Sequence, residues 1–156
     1  MPSFSFPTLS EISTTALMEI LNEDSIRSHL IDHPPFDEQS IAAWVADKDA
    51  ADCSPGCRVR AVLIDGELAG WMGIQPDVDG HELAIVITQR FWGQGISLFR
   101  VLMQWAAELE HKEVVFHLLD SRREYKALQR MAARVTHTEW SGRRFTSYWL
   151  PVPRND

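Results

Sequence analysis

The chain has 156 residues, 45% of them apolar and 24% charged, and its 22 acidic and 15 basic side chains give a net charge of −7. We expect residues 1–156 to form one globular domain, and this composition excludes a disordered, fibrous or coiled-coil protein. The acidic balance argues against a dedicated nucleic-acid binder, which would carry a basic excess.

The compartment is predicted from two absences in the sequence. No run of apolar residues reaches the length of about 18 that a membrane-spanning helix needs. Residues 1–7 show neither the basic nor the apolar block of a signal peptide. We therefore expect a cytoplasmic protein with no membrane partner.

Two helices are predicted in the first third of the chain, over residues 13–23 and 37–50. His33-Pro34-Pro35 separates them, because a residue before proline avoids helical dihedral angles. Asp37 is placed to cap the second helix. The segment that follows, Cys53–Cys57, has no second ligand pair to complete a zinc site. We expect a turn with two reduced thiols there, with a metal or redox role as the alternative.

From Arg58 the pattern changes to strands. Alternating apolar residues predict a strand through Val59, Ala61 and Leu63 and a second one over Leu68–Ile74. Asp65-Gly66 is a strong hairpin signal between them. A turn at residues 77–80 leads to a third strand, Glu82–Thr88.

Helices and strands alternate in the second half of the chain. The first helix follows Gly95 and carries an apolar stripe of Leu98, Val101, Leu102, Trp105 and Leu109. After it come a strand at Val114–Leu119, a helix at Arg122–Arg134 with Tyr125, Leu128, Met131 and Ala132 on its inner side, and strands at Thr136–Trp140 and Arg144–Val152. This order predicts a mixed α/β (α+β) domain. Its central sheet would be mostly antiparallel with one βαβ crossover, flanked by about four helices.

The most informative feature is the strand–turn–helix between Ile85 and Trp105. The turn Gly93-Gln94-Gly95 leads into a helix whose first N–H groups are unpaired, an arrangement that binds phosphate or pyrophosphate. It is neither a Walker motif nor a dinucleotide fingerprint. A tight turn that only connects the strand to a crossover helix is the alternative.

The segment Glu82–Ser97 resembles the acetyl-CoA-binding motif of the GCN5-related N-acetyltransferase (GNAT) superfamily. Phe91–Gly95, read as Phe-Trp-Gly-Gln-Gly, is similar to the Tyr-Trp-Gly-Lys-Gly version found in the branch that includes ribosomal-protein N-terminal acetyltransferases. The element order from about Arg58 onwards agrees with that family. Trp92 stands where the family usually has Arg or Gln, Ser97 where it has Gly or Ala, and Ala132-Ala133 where it often has Gly-Phe.

The resemblance implies an N-acetyltransferase that uses acetyl-CoA as cosubstrate, uses no metal, and moves the acetyl group to a primary amine by direct attack in a ternary complex. The implied cofactor-binding residues are Ile85, Ile87, Trp92, Gly93, Gln94, Gly95, Ile96, Ser97, Leu98 and Arg123. For Arg123 a solvated basic face is the alternative role. A non-catalytic acyl-CoA-binding module of the same fold, used for sensing or partner contact, is the alternative function.

The resemblance also implies roles in catalysis. Glu82 is the candidate general base, with a solvated strand-edge acid as the alternative. A backbone N–H near Ile85–Ile87 would hold the oxyanion. Tyr125 and Ser121 are the candidate general acids, with packing and helix capping as their alternatives. His81 points to the face opposite Glu82, where we expect it to meet solvent.

The acceptor is a small-molecule or peptide amine: a protein N-terminus, a polyamine, an amino sugar or an amino-acid analogue. A second copy of the chain is a further candidate partner, and we expect no nucleic acid. For Trp92 we expect packing against the following helix, with stacking on the ligand as the competing hypothesis.

Overall fold

A computed structural model of the chain describes residues 2–27, 34–78, 80–119, 126–140 and 142–153. These residues form a seven-stranded sheet in the order β1-β2-β3-β4-β5-β7-β6. The strands are β1 (Phe4–Ser5), β2 (Arg58–Ile64), β3 (Glu67–Asp77), β4 (Gly80–Ile87), β5 (Glu113–Leu119), β6 (Arg134–Trp140) and β7 (Arg143–Pro151). Neighbouring strands are antiparallel except β4 and β5, which are parallel. The predicted fold class, with its single crossover, is confirmed.

Five α-helices lie against this sheet in the described part of the chain. They are α1 (Thr14–Leu21), α2 (Asp24–Arg27), α3 (Glu38–Asp52), α4 (Gly95–Glu108) and α5 (Lys126–Met131), with short 3₁₀ helices at Leu9–Glu11 and Gln89–Gln94. Asp37 caps α3 as predicted, because its carboxylate accepts the Ser40 N–H at 2.7 Å. No helix among the described residues is both long and apolar enough to cross a membrane.

The sheet separates two apolar cores. On one face Leu17 and Ile41, from α1 and α3, pack with Trp71 and Val86 of the strands. On the other face the stripe of α4 packs on the sheet, with Leu98, Leu102 and Trp105 all buried there. Alternate residues of β4 therefore face different helices, and this alternation decides which side chains can meet a substrate.

Glycine is needed at two positions, one in the hairpin turn between β2 and β3 and one where β3 meets β4. Asp65 and Gly66 have φ angles of 51° and 82°, as a two-residue hairpin turn requires, so the predicted turn is confirmed. Gly70 has a φ of 156°, and a Cβ on it would lie 1.9 Å from the Val86 carbonyl oxygen. Only glycine lets β3 and β4 approach each other at that point.

The predicted helix over Arg122–Arg134 is wrong at its C-terminal end. α5 ends at Met131, and the Ala133 N–H donates to the Trp149 carbonyl at 2.8 Å. β6 then begins at Arg134, which pairs with Trp149, so sheet pairing overrides the helical pattern. Leu128 is buried as predicted, but Met131 is 46% exposed rather than on the inner face. Residues 122–125 lie outside the described residues.

Candidate active site

A gap opens between the parallel strands β4 and β5. Their pairing has only two steps in the described residues, Glu82 with Val115 and Leu83 with Phe116, although β4 continues to Ile87. The Thr88 N–H donates to Ala69 of β3 at 2.8 Å. In an antiparallel ladder the direction of the N–H alternates, so Ile85 and Ile87 turn theirs away from β3. Two backbone donors therefore face the gap.

The gap leads to the start of α4. A Cβ placed on Gly93 or Gly95 would meet no atom within 4 Å. Gly95 has an ordinary helical φ of −56°, so the backbone conformation does not require glycine there. The glycines instead leave open space beside the first N–H groups of α4, where an anion is stabilised by the helix dipole. Such an opening at a helix start is suited to a phosphate or pyrophosphate group.

The other predicted cofactor residues at the start of α4 differ in what they expose. Gln94 and Ser97 are half-buried and Ile96 is 71% exposed. Leu98 is fully buried in the core with α4, which leaves only its backbone for a ligand.

Trp92 is not packed as we expected. Its ring is 43% exposed, and its indole N–H donates to the Ile87 carbonyl at 3.0 Å. Because the Ile87 peptide groups face the gap, the ring is held at the mouth of the gap rather than buried against α4. The expected packing is therefore only partial, because 43% of Trp92 is exposed.

Glu82 lies on the sheet face covered by α1 and α3. Gln75, directly opposite it on β3, donates its side-chain N–H to Glu82 Oε1 at 3.1 Å. Burial raises the pKa of the Glu82 carboxyl, and nearby Asp77 raises it further, while His117, Gln75 and Lys48 act to lower it. A carboxylate with a raised pKa and partial exposure suits a general base.

Asp77 and His117 stand beside Glu82. His117 Nε2 is 3.0 Å from Asp77 Oδ2, and its Nδ1 is 2.6 Å from the Ser147 hydroxyl. One donor atom from each of Asp77, Glu82 and His117 lies within 4.8 Å of the others. Imidazole and carboxylate groups can hold a divalent cation or pass protons. Sequence reasoning missed this cluster, because its members come from three strands that share no local motif.

His81 and the cysteines lie apart from this cluster. His81 is on the opposite face, as predicted, but it packs on His111 with ring centroids 4.4 Å apart instead of standing in solvent. Burial, together with His111, lowers the His81 pKa. Cys53 is exposed, Cys57 is buried, and both are free thiols. Burial raises the pKa of the Cys57 thiol, which makes it a poor nucleophile.

Three predicted site residues lie outside the described residues. These are the candidate acids Ser121 and Tyr125 and the candidate phosphate ligand Arg123. The site can therefore be built from β3, β4, β5, the turn at residues 89–94 and α4, and the roles of these three residues stay predictions.

Comparisons with solved structures match the fold over nearly its whole length. A crystal structure of a probable acetyltransferase superposes with a TM-score of 0.75 at 18% identity, covering 97% of this chain and 94% of that one. RimL, a ribosomal L7/L12 alpha-N-protein acetyltransferase crystallised with coenzyme A, gives 0.73 at 15% identity, covering 96% and 94%. A probable GNAT-family acetyltransferase from Chromobacterium violaceum gives 0.66 at 15% identity, covering 96% and 87%.

Sequence comparison with curated proteins gives no significant match. The family model for the acetyltransferase (GNAT) family, however, matches residues 15–134, which include β4, the turn after it and α4. The chain belongs to the GNAT family of acetyltransferases.

Proposed function

We propose that this protein transfers an acetyl group from acetyl-CoA to a primary amine that attacks the thioester directly. The observation that carries the proposal is the gap between β4 and β5, which continues into the open helix start at Gly93–Gly95. Acetyl-CoA supplies the activated acetyl group. The N–H groups of Ile85 and Ile87 are the proposed donors to the thioester carbonyl, and the start of α4 is the proposed pyrophosphate site.

Glu82 is the proposed general base. An amine is protonated at neutral pH and becomes a nucleophile only after it loses a proton. Glu82 lies on β4 three residues before Ile85, is half-buried, and has a raised pKa, so its carboxylate is a better proton acceptor than an exposed one. His117, hydrogen-bonded to Asp77 at 3.0 Å, is the second candidate for the same role.

The departing thiolate requires an acid. We propose Tyr125 or Ser121, from the family resemblance, and we propose Arg123 as a ligand of the adenosine phosphates. No step in this scheme requires a metal. We therefore expect a chelator such as EDTA to leave the rate unchanged, even though three donor atoms of Asp77, Glu82 and His117 lie close together.

The proposed acceptor is a protein N-terminus, a polyamine, an amino sugar or an amino-acid analogue. The fold shared with RimL makes a peptide N-terminus one natural choice for a first assay. The net charge of −7 favours a cationic acceptor over nucleic acid. Two free thiols in the described residues are compatible with the reducing cytoplasm, which we propose as the compartment.

Thermal unfolding with coenzyme A and acetyl-CoA tests the cofactor half of this proposal. A ligand at about 100 times its Kd adds about 2.7 kcal/mol to the free energy of unfolding. We expect both compounds to raise Tm. Adenosine, which lacks the phosphates and the pantetheine arm of coenzyme A, is the control and should not. If neither compound raises Tm, the proposed function is wrong. Binding without turnover of any amine would instead indicate an acyl-CoA-binding module.

A further inference from the structure

A chain of hydrogen bonds reaches Glu82 from α3. Lys48 Nζ donates to Gln75 Oε1 at 2.7 Å, and Gln75 Nε2 donates to Glu82 Oε1 at 3.1 Å. All three side chains are half-buried, on the same face of the sheet. The side chain of Gln75 therefore bridges an ammonium group and the candidate base.

The chemistry of the two ends fixes the direction of the Gln75 amide. A lysine ammonium carries only donors and an ionised carboxylate only acceptors. The amide must therefore turn its oxygen to Lys48 and its NH₂ to Glu82. Without the ammonium, the amide would keep its NH₂ towards Glu82 but would lose the second hydrogen bond that holds the Gln75 side chain in place.

Two tryptophans hold the ammonium in place. Lys48 Nζ lies 4.6 Å from the centroid of the Trp71 ring and 5.7 Å from that of Trp44. A cation over an aromatic face is stabilised by the ring quadrupole. Lys48 is thus fixed by two rings and one amide oxygen, although burial lowers the pKa of its amino group.

We propose that Lys48 and Gln75 are positioning residues for Glu82: Gln75, held by Lys48, occupies Oε1 of the carboxylate and leaves Oε2 to take the proton of the acceptor amine. This inference rests on the proposed role of Glu82 as the base. Among the described residues, no hydrogen bond to Oε2 is found. A base with one oxygen tied down and one free is aimed at a single position, which is what proton transfer in the transition state requires.

The charges around Glu82 indicate how the hydrogen-bond chain from Lys48 through Gln75 affects the titration of this carboxyl group. Lys48 on α3 and His117 on β5 favour the carboxylate, whereas Asp77 on β3 disfavours it. Asp47, next to Lys48 on α3, acts on the lysine. Removal of the Lys48 charge takes away one of the groups that favour the anion, so Glu82 should take up its proton at a higher pH.

The test is Lys48→Met, which keeps the length and the apolar contact with the tryptophans but removes the charge. Because a buried charge costs desolvation energy, we expect the variant to stay folded. The acid limb of kcat/KM should move to higher pH, and kcat should fall on the order of tenfold with KM for acetyl-CoA unchanged. Lys48→Arg should restore most of the rate, and Lys112→Met, at an exposed lysine, should match wild type.

Carbon-13 NMR titration of the Glu82 carboxyl separates this inference from the proposed function, because it needs no turnover. We expect a higher midpoint in Lys48→Met than in wild type and in Lys112→Met. An unchanged midpoint, or a rate loss that is equal at every pH, would overturn the positioning role. If wild type turned over no amine, the proposed function would fail. The titration would still show whether Lys48 influences the Glu82 carboxyl group.

Discussion

At the scale of single residues, the raised pKa of Glu82 has consequences that can be measured. Its carboxylate must be ionised to accept a proton, and burial moves that ionisation above the usual range. We expect kcat/KM to rise with pH through an apparent pKa above the ordinary glutamate value of about 4.3. A pH profile that stays flat down to about pH 4 would contradict the assignment of Glu82 as the base.

The same shift predicts the effect of Glu82→Gln on stability. A carboxyl whose folded pKa is raised costs stability once it ionises; the cost is absent below the unfolded pKa and complete above the folded one. Glu82→Gln should therefore increase the free energy of unfolding at pH 7 more than at pH 4. Urea unfolding at both pH values measures this. Glu19→Gln, at an exposed residue of α1, is the control and should show no such difference.

Trp92 tests which hypothesis about its ring is correct. Trp92 is 43% exposed, so its truncation removes part of the buried ring surface together with the hydrogen bond to Ile87. We expect Trp92→Ala to lower the free energy of unfolding by about 2 kcal/mol, less than the ~3–5 kcal/mol of a fully buried tryptophan. Coenzyme A affinity, measured by calorimetry, should fall on the order of tenfold. A larger loss of stability with unchanged affinity would restore the packing hypothesis.

Sequence reasoning found only part of the site. Glu82 could be singled out because the resemblance to the GNAT family implies a carboxylate near the start of the strand before the glycine turn. His117 could not, because its link to Asp77 and Ser147 arises from the register of three strands. The role of Lys48 was equally hidden, since α3 gives no sign of which strand residue it faces.

At the scale of elements, the start of α4 is predicted to bind the pyrophosphate through its backbone. Space around Gly95 is open and its φ is helical, so the fold can accept a side chain there. Gly95→Glu should leave Tm almost unchanged and abolish coenzyme A binding through bulk and charge repulsion. Gly95→Ala, the milder control, should weaken binding less. Loss of the folded state in Gly95→Glu would reduce Gly95 to a structural residue.

The close approach of β3 and β4 gives an opposite prediction for Gly70. Its Cβ would overlap the Val86 carbonyl, so Gly70→Ala should cost about 3 kcal/mol or more through forced backbone shifts. Gly66→Ala also places alanine at a positive φ, but meets no atom within 4 Å. It should cost only about 1 kcal/mol. Equal losses for the two variants in urea unfolding would show that the positive φ, rather than the clash with Val86, accounts for the lost stability.

The elements that the sequence could predict are those with strong local signals. Alternation defined β2 and β3, and Asp65-Gly66 defined the turn between them. The end of α5 was missed because Ala132-Ala133 is a good helical sequence, and only pairing with β7 pulls the chain out of the helix. β1, with two residues, carries no pattern long enough to predict a strand.

At the scale of the whole molecule, the fold brings the proposed base and the proposed cofactor site to opposite ends of one strand. β4 carries Glu82 near its start, beside β5, and ends at the turn that leads to α4. The gap between β4 and β5 exists only because pairing stops after Leu83. An amine and a thioester held along β4 would therefore meet between the base and the two backbone donors.

Steady-state release of free thiol from acetyl-CoA, measured with a panel of amines, tests this account most directly. The panel should contain peptides with free N-termini, polyamines, amino sugars and amino-acid analogues. We predict release with at least one class, and a fall in kcat of about 10²-fold or more in Glu82→Gln at unchanged coenzyme A affinity. Absence of turnover across the panel by a protein that binds acetyl-CoA, or wild-type turnover in Glu82→Gln, would contradict it.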